Sequence, residues 1–246
     1  MIVAMMQPSF LPWQGFFELL LKSDIFIILD DFQFSVQSYH QRNRLFVNKE
    51  QADWYSVPVK KNISFMSPLN QVTIDENSNW RNKMWKRVKF NYEKAPYYEE
   101  FAPWLEKWML TPSRSLASQN IAFITFVSEL FKYKGSIKFS SENPSVKVRS
   151  ERVVELLTWA KANTYLCAKG SYGYMNEDGV FPSPDIEVLF QDFNVKEYEQ
   201  IGSKNMFMPN LSVLDALMNI GVVKTRELIM LGTPTWKHWE EMKEQI

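Results

Sequence analysis

Cysteine and histidine are scarce in this chain of 246 residues, which contains one Cys and two His. The single cysteine, Cys167, cannot form a disulfide within the chain, and this suits a reducing compartment. Structural zinc sites combine several Cys and His ligands, and Cys167 with His40 and His238 provides too few. The sequence therefore predicts no disulfide framework and no metal site.

Long apolar runs and an excess of one charge are also missing. No apolar stretch approaches the roughly 18 residues of a membrane span, because charged residues interrupt the longest ones. The N-terminus has no basic segment before an apolar one, so it does not look like a signal peptide. Lys and Arg number 28, as do Asp and Glu, which argues against electrostatic binding to nucleic acid or an anionic membrane. We expect a cytoplasmic protein that binds neither nucleic acid nor a membrane.

The opening of the chain predicts a β-α-β unit. Residues 2–6 are a short apolar run of strand type, and residues 13–22 are apolar and of helix length. Residues 25–29 (IFIIL) are typical of a parallel strand buried on both faces. That strand ends at Asp30 and Asp31, and open α/β sheets bind ligands at the carboxyl ends of their strands. Either aspartate is a candidate general base, and we expect only one to face the cleft.

The rest of the chain continues the alternation of strands and helices. Strands are predicted at 54–59, 71–74, 137–140, 163–168 and 186–191, and helices at 150–160, 211–219 and 222–231, the last two separated by Gly221. This order indicates an α/β fold with a mainly parallel, Rossmann-like sheet flanked by helices. We predict a single α/β domain over 1–246, with a helical insert at 78–135 and C-terminal helices within 205–246.

A polar stretch follows the second predicted strand and holds most of the candidate site. This stretch, residues 32–54, is interpreted as a long loop that is either solvated or functional. Arg and amide side chains suit recognition of phosphates, carboxylates or sugar hydroxyls, so Gln33, Arg42 and Asn43 are substrate-binding candidates, together with Gln7 after the first strand. His40 lies in the same stretch and is the first choice of general base, because imidazole titrates near neutral pH.

Two further candidates come from the strand at 163–168. Cys167 ends this apolar strand and is either an inert buried thiol or an acyl-accepting nucleophile with a lowered pKa. The sequence after it is read as a glycine-containing loop, in which the backbone N–H groups of Gly170 and Ser171 can approach a ligand.

A series of sequence blocks resembles the WbqC-like family. The blocks run in order from residue 7 to 221: QPSFLPWQGFFELL, DIFIILDDFQFS, QRNRL, WYSVPV, SERVVELL, FQDF and FMPNLSVLDALMNIG. The resemblance implies a role in bacterial surface polysaccharides such as the O-antigen of lipopolysaccharide. By this resemblance, the chain would belong with bacterial gene sets for surface polysaccharides, which include sets whose enzymes attach acyl or aminoacyl groups to amino-deoxy sugars.

A weaker resemblance is to nucleotidylyltransferase-like α/β folds, in which a His-x-Gly-His turn binds nucleotide phosphates. The matching turn here is Trp13-Gln14-Gly15-Phe16, which keeps the glycine and lacks both histidines. The adenylating chemistry is therefore not expected, and Trp13 is read as part of a turn that positions substrate. Walker A, Gly-x-Gly-x-x-Gly and Gly-x-Ser-x-Gly motifs are absent as well.

These observations lead to one hypothesis and two alternatives. The hypothesis is an acyl- or aminoacyltransferase that acts on the amine of a nucleotide-linked amino-deoxy sugar. Its donor is expected to be a thioester of coenzyme A or of an acyl carrier protein, with no tightly bound cofactor. The alternatives are a nucleotidyltransferase-like enzyme and a non-catalytic protein that binds nucleotide sugars or serves as a scaffold.

Overall fold

The predicted β-α-β unit lies in the middle of the main sheet. The computed structural model describes residues 1–47, 51–60, 67–202 and 206–244. Within these ranges the strands are β1 (Ile2–Met6), β2 (Ile25–Ile28), β3 (Arg42–Val47), β4 (Gln51–Ser56), β5 (Ser136–Phe139), β6 (Thr164–Ala168), β7 (Glu187–Gln191) and β8 (Lys237–His238). The main sheet has the order β5-β2-β1-β6-β7-β8, and all its pairs except β7–β8 are parallel. The predicted α/β class is confirmed.

Helices cover both faces of this sheet. The α-helices in the described residues are α1 (Gln14–Leu21), α2 (Trp80–Tyr92), α3 (Tyr98–Leu110), α4 (Leu116–Leu130), α5 (Arg149–Trp159), α6 (Tyr172–Asp178), α7 (Val213–Met230) and α8 (Trp239–Lys243). Short 3-10 helices occupy Leu69–Gln71, Ser140–Glu142 and Lys169–Ser171. Helices α2 to α4 fall within the range predicted as an insert, and α7 and α8 within the predicted C-terminal segment. Residues 205, 245 and 246 of that segment lie outside the described residues.

The central strands are apolar on both faces because each face packs against helices. Ala4, Phe26 and Ile28 belong to a core cluster with α1 to α4 and α7. Val3 and Ile27 belong to a second cluster with α5, α6 and α8. Successive side chains of a strand point to opposite faces, so a strand buried on both sides needs a continuous apolar run. The isoleucine-rich run of β2 meets this need.

Helix α7 is interrupted where the sequence predicted a break. Gly221 has φ 72° and ψ 176°, a backbone conformation that glycine adopts without steric penalty. A Cβ at this position would lie 2.6 Å from the Tyr97 ring. The predicted separation of two closing helices at Gly221 is confirmed.

A buried carboxylate on α7 joins three parts of the chain. Asp215 accepts hydrogen bonds from the hydroxyls of Tyr92 on α2 and Tyr198, each at 2.7 Å, and from Gln200 Nε2 at 2.8 Å. Burial raises the pKa of Asp215, while its hydrogen-bond donors oppose that rise. The three bonds compensate for removing a carboxylate from water.

The start of α7 also supports the N-terminal turn and the separate hairpin of β3 and β4. Ser212 N donates to Arg44 O at 3.0 Å, and Val213 N donates to Pro12 O at 2.8 Å. Thr233, beyond α7, donates its backbone N–H to the buried Glu18 carboxylate on α1 at 2.8 Å. Residues from the last part of the chain therefore hold the first helix and the hairpin in place.

Four local predictions were wrong. Residues 42–47 are not loop but strand β3, and its antiparallel partner is β4 (Gln51–Ser56) rather than a strand at 54–59. The strand predicted at 71–74 is absent, since the 3-10 helix Leu69–Gln71 ends there. The loop predicted after β6 is helical. Strand β8 was not predicted, because two residues carry no periodic pattern and their pairing with β7 is a tertiary contact.

Candidate functional site

A cleft of about 930 Å³ lies at the carboxyl ends of β1, β2 and β6. Its polar and aromatic lining includes Gln7, Asp31, Gln33, Tyr39, His40, Lys147, Arg149, Arg152, Gly170, Ser171 and Tyr174. The carboxyl ends of parallel strands share one edge of a sheet, which brings residues that are distant in sequence together. The cleft thus unites six of the predicted site residues, namely Gln7, Asp31, Gln33, His40, Gly170 and Ser171.

His40 is held in a chain of hydrogen bonds with Gln7. Its Nδ1 accepts a hydrogen bond from Ser35 N at 3.2 Å, so the ring proton lies on Nε2, 3.1 Å from Gln7 Oε1. Gln7 Nε2 in turn donates to Gln33 O at 3.0 Å. Burial lowers the pKa of His40 from 6.5 to about 4. His40 is therefore neutral at pH 7 with its one acceptor nitrogen occupied, which suits orienting Gln7 better than accepting a proton.

The two aspartates after β2 have different surroundings. Asp30 is buried, and it accepts hydrogen bonds from Ser141 N at 3.1 Å and from Ser141 Oγ at 2.8 Å. These bonds connect the end of β2 to the residues that follow β5. Asp31 lines the cleft and accepts a hydrogen bond from Ser140 Oγ. Its Oδ2 lies 3.4 Å from Arg152 Nη2. Of the two, only Asp31 presents a carboxylate to the cleft.

Cations line one side of the cleft, and sequence reasoning missed them. Arg152 on α5 is buried and donates to Ser140 O at 2.9 Å in addition to its ion pair with Asp31. Arg149 pairs with Asp178, while Lys147 is exposed. Lys147 and Arg149 follow β5, which is parallel to β2, so their position after a strand's carboxyl end was an available signal. Neighbouring carboxylates balance the two arginines, and the cleft is not strongly positive.

Gly170 and Ser171 lie where the chain leaves β6. They belong to the 3-10 helix Lys169–Ser171, which leads directly into α6. No described atom lies within 4 Å of the Cβ position that a side chain at Gly170 would add. Gly170 therefore has open space where a side chain would begin, although it belongs to a helical turn and not to the predicted loop.

Arg42 and Asn43 do not line the cleft, because both lie on β3. Asn43 is buried, and its Nδ2 donates to Leu11 O at 2.7 Å and to Phe10 O at 3.2 Å. Leu11 has φ 44°, so these bonds hold a strained turn. Asn43 thus supports the Pro-rich turn, and Arg42 lies against the Trp54 ring with its guanidinium carbon 4.3 Å from the ring centroid.

Trp13 closes the turn that resembles a phosphate-binding element. A Cβ at Gly15 would lie 2.4 Å from the Trp13 ring, so the indole covers the glycine. The ring also packs edge-on against Phe193, with 5.1 Å between ring centroids. Trp13 is not among the residues of the cleft. The packing leaves no room for a phosphate over Gly15, which disfavours nucleotidyl transfer at this turn.

Cys167 lies away from the cleft lining, in the core cluster on the α5 and α6 face of the sheet. It is 1% exposed, and burial raises its pKa well above the ordinary value. An attacking thiol needs a lowered pKa and access to substrate. The environment of Cys167 matches the inert-thiol alternative. In the described residues no group of three or more His, Cys, Asp or Glu side chains is arranged to hold a metal.

The protein has a mostly parallel α/β sheet with a polar cleft at its carboxyl edge, which is where open α/β folds bind their ligands. The chain belongs to the WbqC-like protein family, whose model matches residues 7–227. A Mycobacterium tuberculosis relative, "Uncharacterized protein Rv1507c", is 28% identical over 221 residues, which cover 89% of this chain and 94% of the relative. No solved structure matches the chain significantly. None of the helices in the described ranges combines the length and apolarity of a membrane span.

Proposed function

We propose that the protein transfers an acyl or aminoacyl group from a thioester to the amine of a nucleotide-linked amino-deoxy sugar. The reaction would take place in the cytoplasm and serve bacterial surface-polysaccharide synthesis. The observation that carries the proposal is the cleft of about 930 Å³ that presents Asp31 beside Arg152 at the carboxyl edge of the sheet. Clefts of this size are typical of small-molecule and cofactor sites.

Asp31 is the group best placed to accept the amine proton. In the proposed step the amine nitrogen attacks the thioester carbonyl carbon, a C–N bond forms and the C–S bond breaks. The amine proton passes to Asp31 and then to the departing sulfur, so that a free thiol leaves. Arg152 is a positioning residue, because its contacts to Asp31 and to Ser140 O fix the carboxylate relative to the end of β5.

Gln7, after β1, supplies a second polar contact in the cleft. Its Oε1 is bonded to His40 and its Nε2 to Gln33 O, so the amide has a defined orientation. An Nε2 group has two N–H donors, and one of them remains for a substrate hydroxyl or carbonyl oxygen. The buried, neutral His40 acts through Gln7 as a positioning residue.

The test is direct turnover. The protein is incubated with a panel of nucleotide-linked amino sugars and of acyl and aminoacyl thioesters, and thiol release and product mass are followed. We expect turnover with at least one pair, and a loss of roughly a hundredfold or more in kcat for Asp31→Asn. Asp185→Asn, an exposed aspartate before β7 at the opposite edge of the sheet, is the control. Sugar-nucleotide binding without turnover would favour the non-catalytic alternative, and pyrophosphate exchange would favour nucleotidyl transfer.

A further inference from the structure

Exposed aromatic rings and arginines lie together on the outer face of the β3–β4 hairpin and beside it. Trp54 is 37% exposed and Tyr39, which also lines the cleft, is 54% exposed. The two rings contact each other with centroids 5.8 Å apart. The Arg42 guanidinium lies 4.3 Å from the Trp54 ring centroid. We call Tyr39, Trp54 and Arg42 the aromatic shelf, and it begins at the edge of the cleft.

The pairing of the hairpin explains why these residues share one face. Trp54 is the direct cross-strand partner of Arg44, and Arg42 lies two residues further along the same strand, so the three side chains point to the same side. The opposite face holds the buried Asn43 and Tyr55. Arg44 thus adds a second cation next to the shelf.

Contacts with helix α2 hold the hairpin, and with it Trp54 and Arg42, in place. On α2, Arg87 donates to Trp54 O at 3.1 Å and pairs with Asp53. Asn91 Nδ2, on the same helix, donates to the Tyr55 hydroxyl at 2.8 Å. Arg42 and the neighbouring Arg44 have no such compensation, because neither forms an ion pair with any residue in the described ranges. Arg42 Nε is moreover buried without a hydrogen-bond partner there.

From this geometry we infer that the aromatic shelf is a nucleotide subsite, in which a heterocyclic base stacks on the Tyr39 ring with Trp54 against its edge, and a phosphate pairs with Arg42. The planes of the two rings are inclined by 53°, so a base stacks on one of them only, and Arg42 already covers one face of Trp54. Exposed rings bind planar bases by stacking, and a guanidinium pairs with phosphate oxygens through two parallel hydrogen bonds. The inference rests on the proposed function and deepens it. The nucleotide lies on the shelf, and the sugar amine extends past Tyr39 into the cleft toward Asp31.

Binding of nucleoside diphosphates tests the shelf without knowledge of the sugar. UDP, dTDP, CDP and GDP are titrated into the full chain by calorimetry, with inorganic pyrophosphate as the probe for the anion alone. We expect a nucleoside diphosphate to bind more tightly than pyrophosphate. Trp54→Leu and Tyr39→Leu should each weaken that binding by roughly tenfold or more, whereas Trp54→Phe and Tyr39→Phe, which keep a ring, should restore most of it. Arg42→Gln should weaken the diphosphates and leave the corresponding nucleosides unchanged.

The matched control is Phe90→Leu, which removes a ring that is 67% exposed on α2 and is not part of the shelf or the cleft. Equal affinity of pyrophosphate and nucleoside diphosphates would overturn the inference. So would equal losses in the Leu and Phe variants, or absence of nucleotide binding by the unaltered protein. The turnover assay reports on the proposed function separately, because acyl transfer that is unaffected by Trp54→Leu would leave the transferase standing and refute the shelf.

Discussion

Replacement of His40 by glutamine tests the hydrogen-bonded chain at the edge of the cleft. The folded protein lowers the pKa of His40 from 6.5 to about 4 through burial. Between these two values the unfolded chain binds a proton that the folded protein does not, so the wild type loses stability as the pH falls. At about 1.4 kcal/mol for each pH unit, the loss is about 3 kcal/mol over the whole window. Glutamine is neutral throughout, so this loss should disappear in His40→Gln.

The assay is urea unfolding at about pH 7 and about pH 4.5. At the higher pH, His40→Gln should be less stable than the wild type by about 1 kcal/mol, because Ser35 N–H loses its acceptor. At the lower pH the order should reverse, since the variant escapes about 2 to 3 kcal/mol of proton-linked loss. His238→Gln is the matched control, because it replaces the exposed histidine of β8.

The outcome that would refute this reasoning is an identical pH dependence for the wild type and His40→Gln. It would mean that the folded protein accepts a proton on His40 as readily as the unfolded chain. A loss of turnover of roughly a hundredfold or more in a stable His40→Gln protein would be a separate contradiction. It would return His40 to the role of general base.

Four further predictions concern residues outside the cleft. Cys167 should react with a thiol reagent in urea and be protected in the native protein, because its thiol is buried and its pKa is raised. Gly221→Ala should lower the free energy of unfolding by at least about 2 kcal/mol, because the φ of 72° is unfavourable for alanine and the new Cβ meets Tyr97. Gly173→Ala, in a helix with open space around it, should instead stabilise the protein by about 0.5 to 1 kcal/mol. Asp215→Ala removes the common acceptor of three hydrogen bonds at a buried position, and chemical denaturation should show a loss of about 3 to 5 kcal/mol.

The parts of the fold that the sequence predicted have strong local patterns. The apolar run of β2 identified a strand buried on both faces, and the strong turn preference of Gly221 identified the break in α7. Strand β3 was missed because polar Arg42 and Arg44 alternate with Asn43, which the fold buries to hold the N-terminal turn. An inward-facing amide has the same appearance in a sequence as a solvated one, and only the turn that it supports distinguishes the two.

The site could be predicted as a location and not as a mechanism. Residues that follow strand ends, such as Gln7, Asp31 and Gly170, are brought together because parallel strands share an edge. The protonation state of His40 depends on Ser35 and on burial, which no spacing reveals. The partner of Asp31 likewise depends on where α5 docks, so Arg152 could not be assigned from the sequence.

The attachment of the hairpin and of α1 to the end of the chain has a consequence for biosynthesis. Arg44 O and Pro12 O accept hydrogen bonds from the backbone N–H groups of Ser212 and Val213. The Glu18 carboxylate accepts one from the backbone N–H of Thr233, 215 positions later. The native contacts of α1 and of the hairpin are therefore incomplete until residues 212–233 have been synthesised. Contacts of such long sequence separation slow folding and lengthen the time during which apolar surface is exposed. A nascent or truncated chain that ends before Ser212 should hold its N-terminal strands without a finished hairpin, and should depend on chaperones.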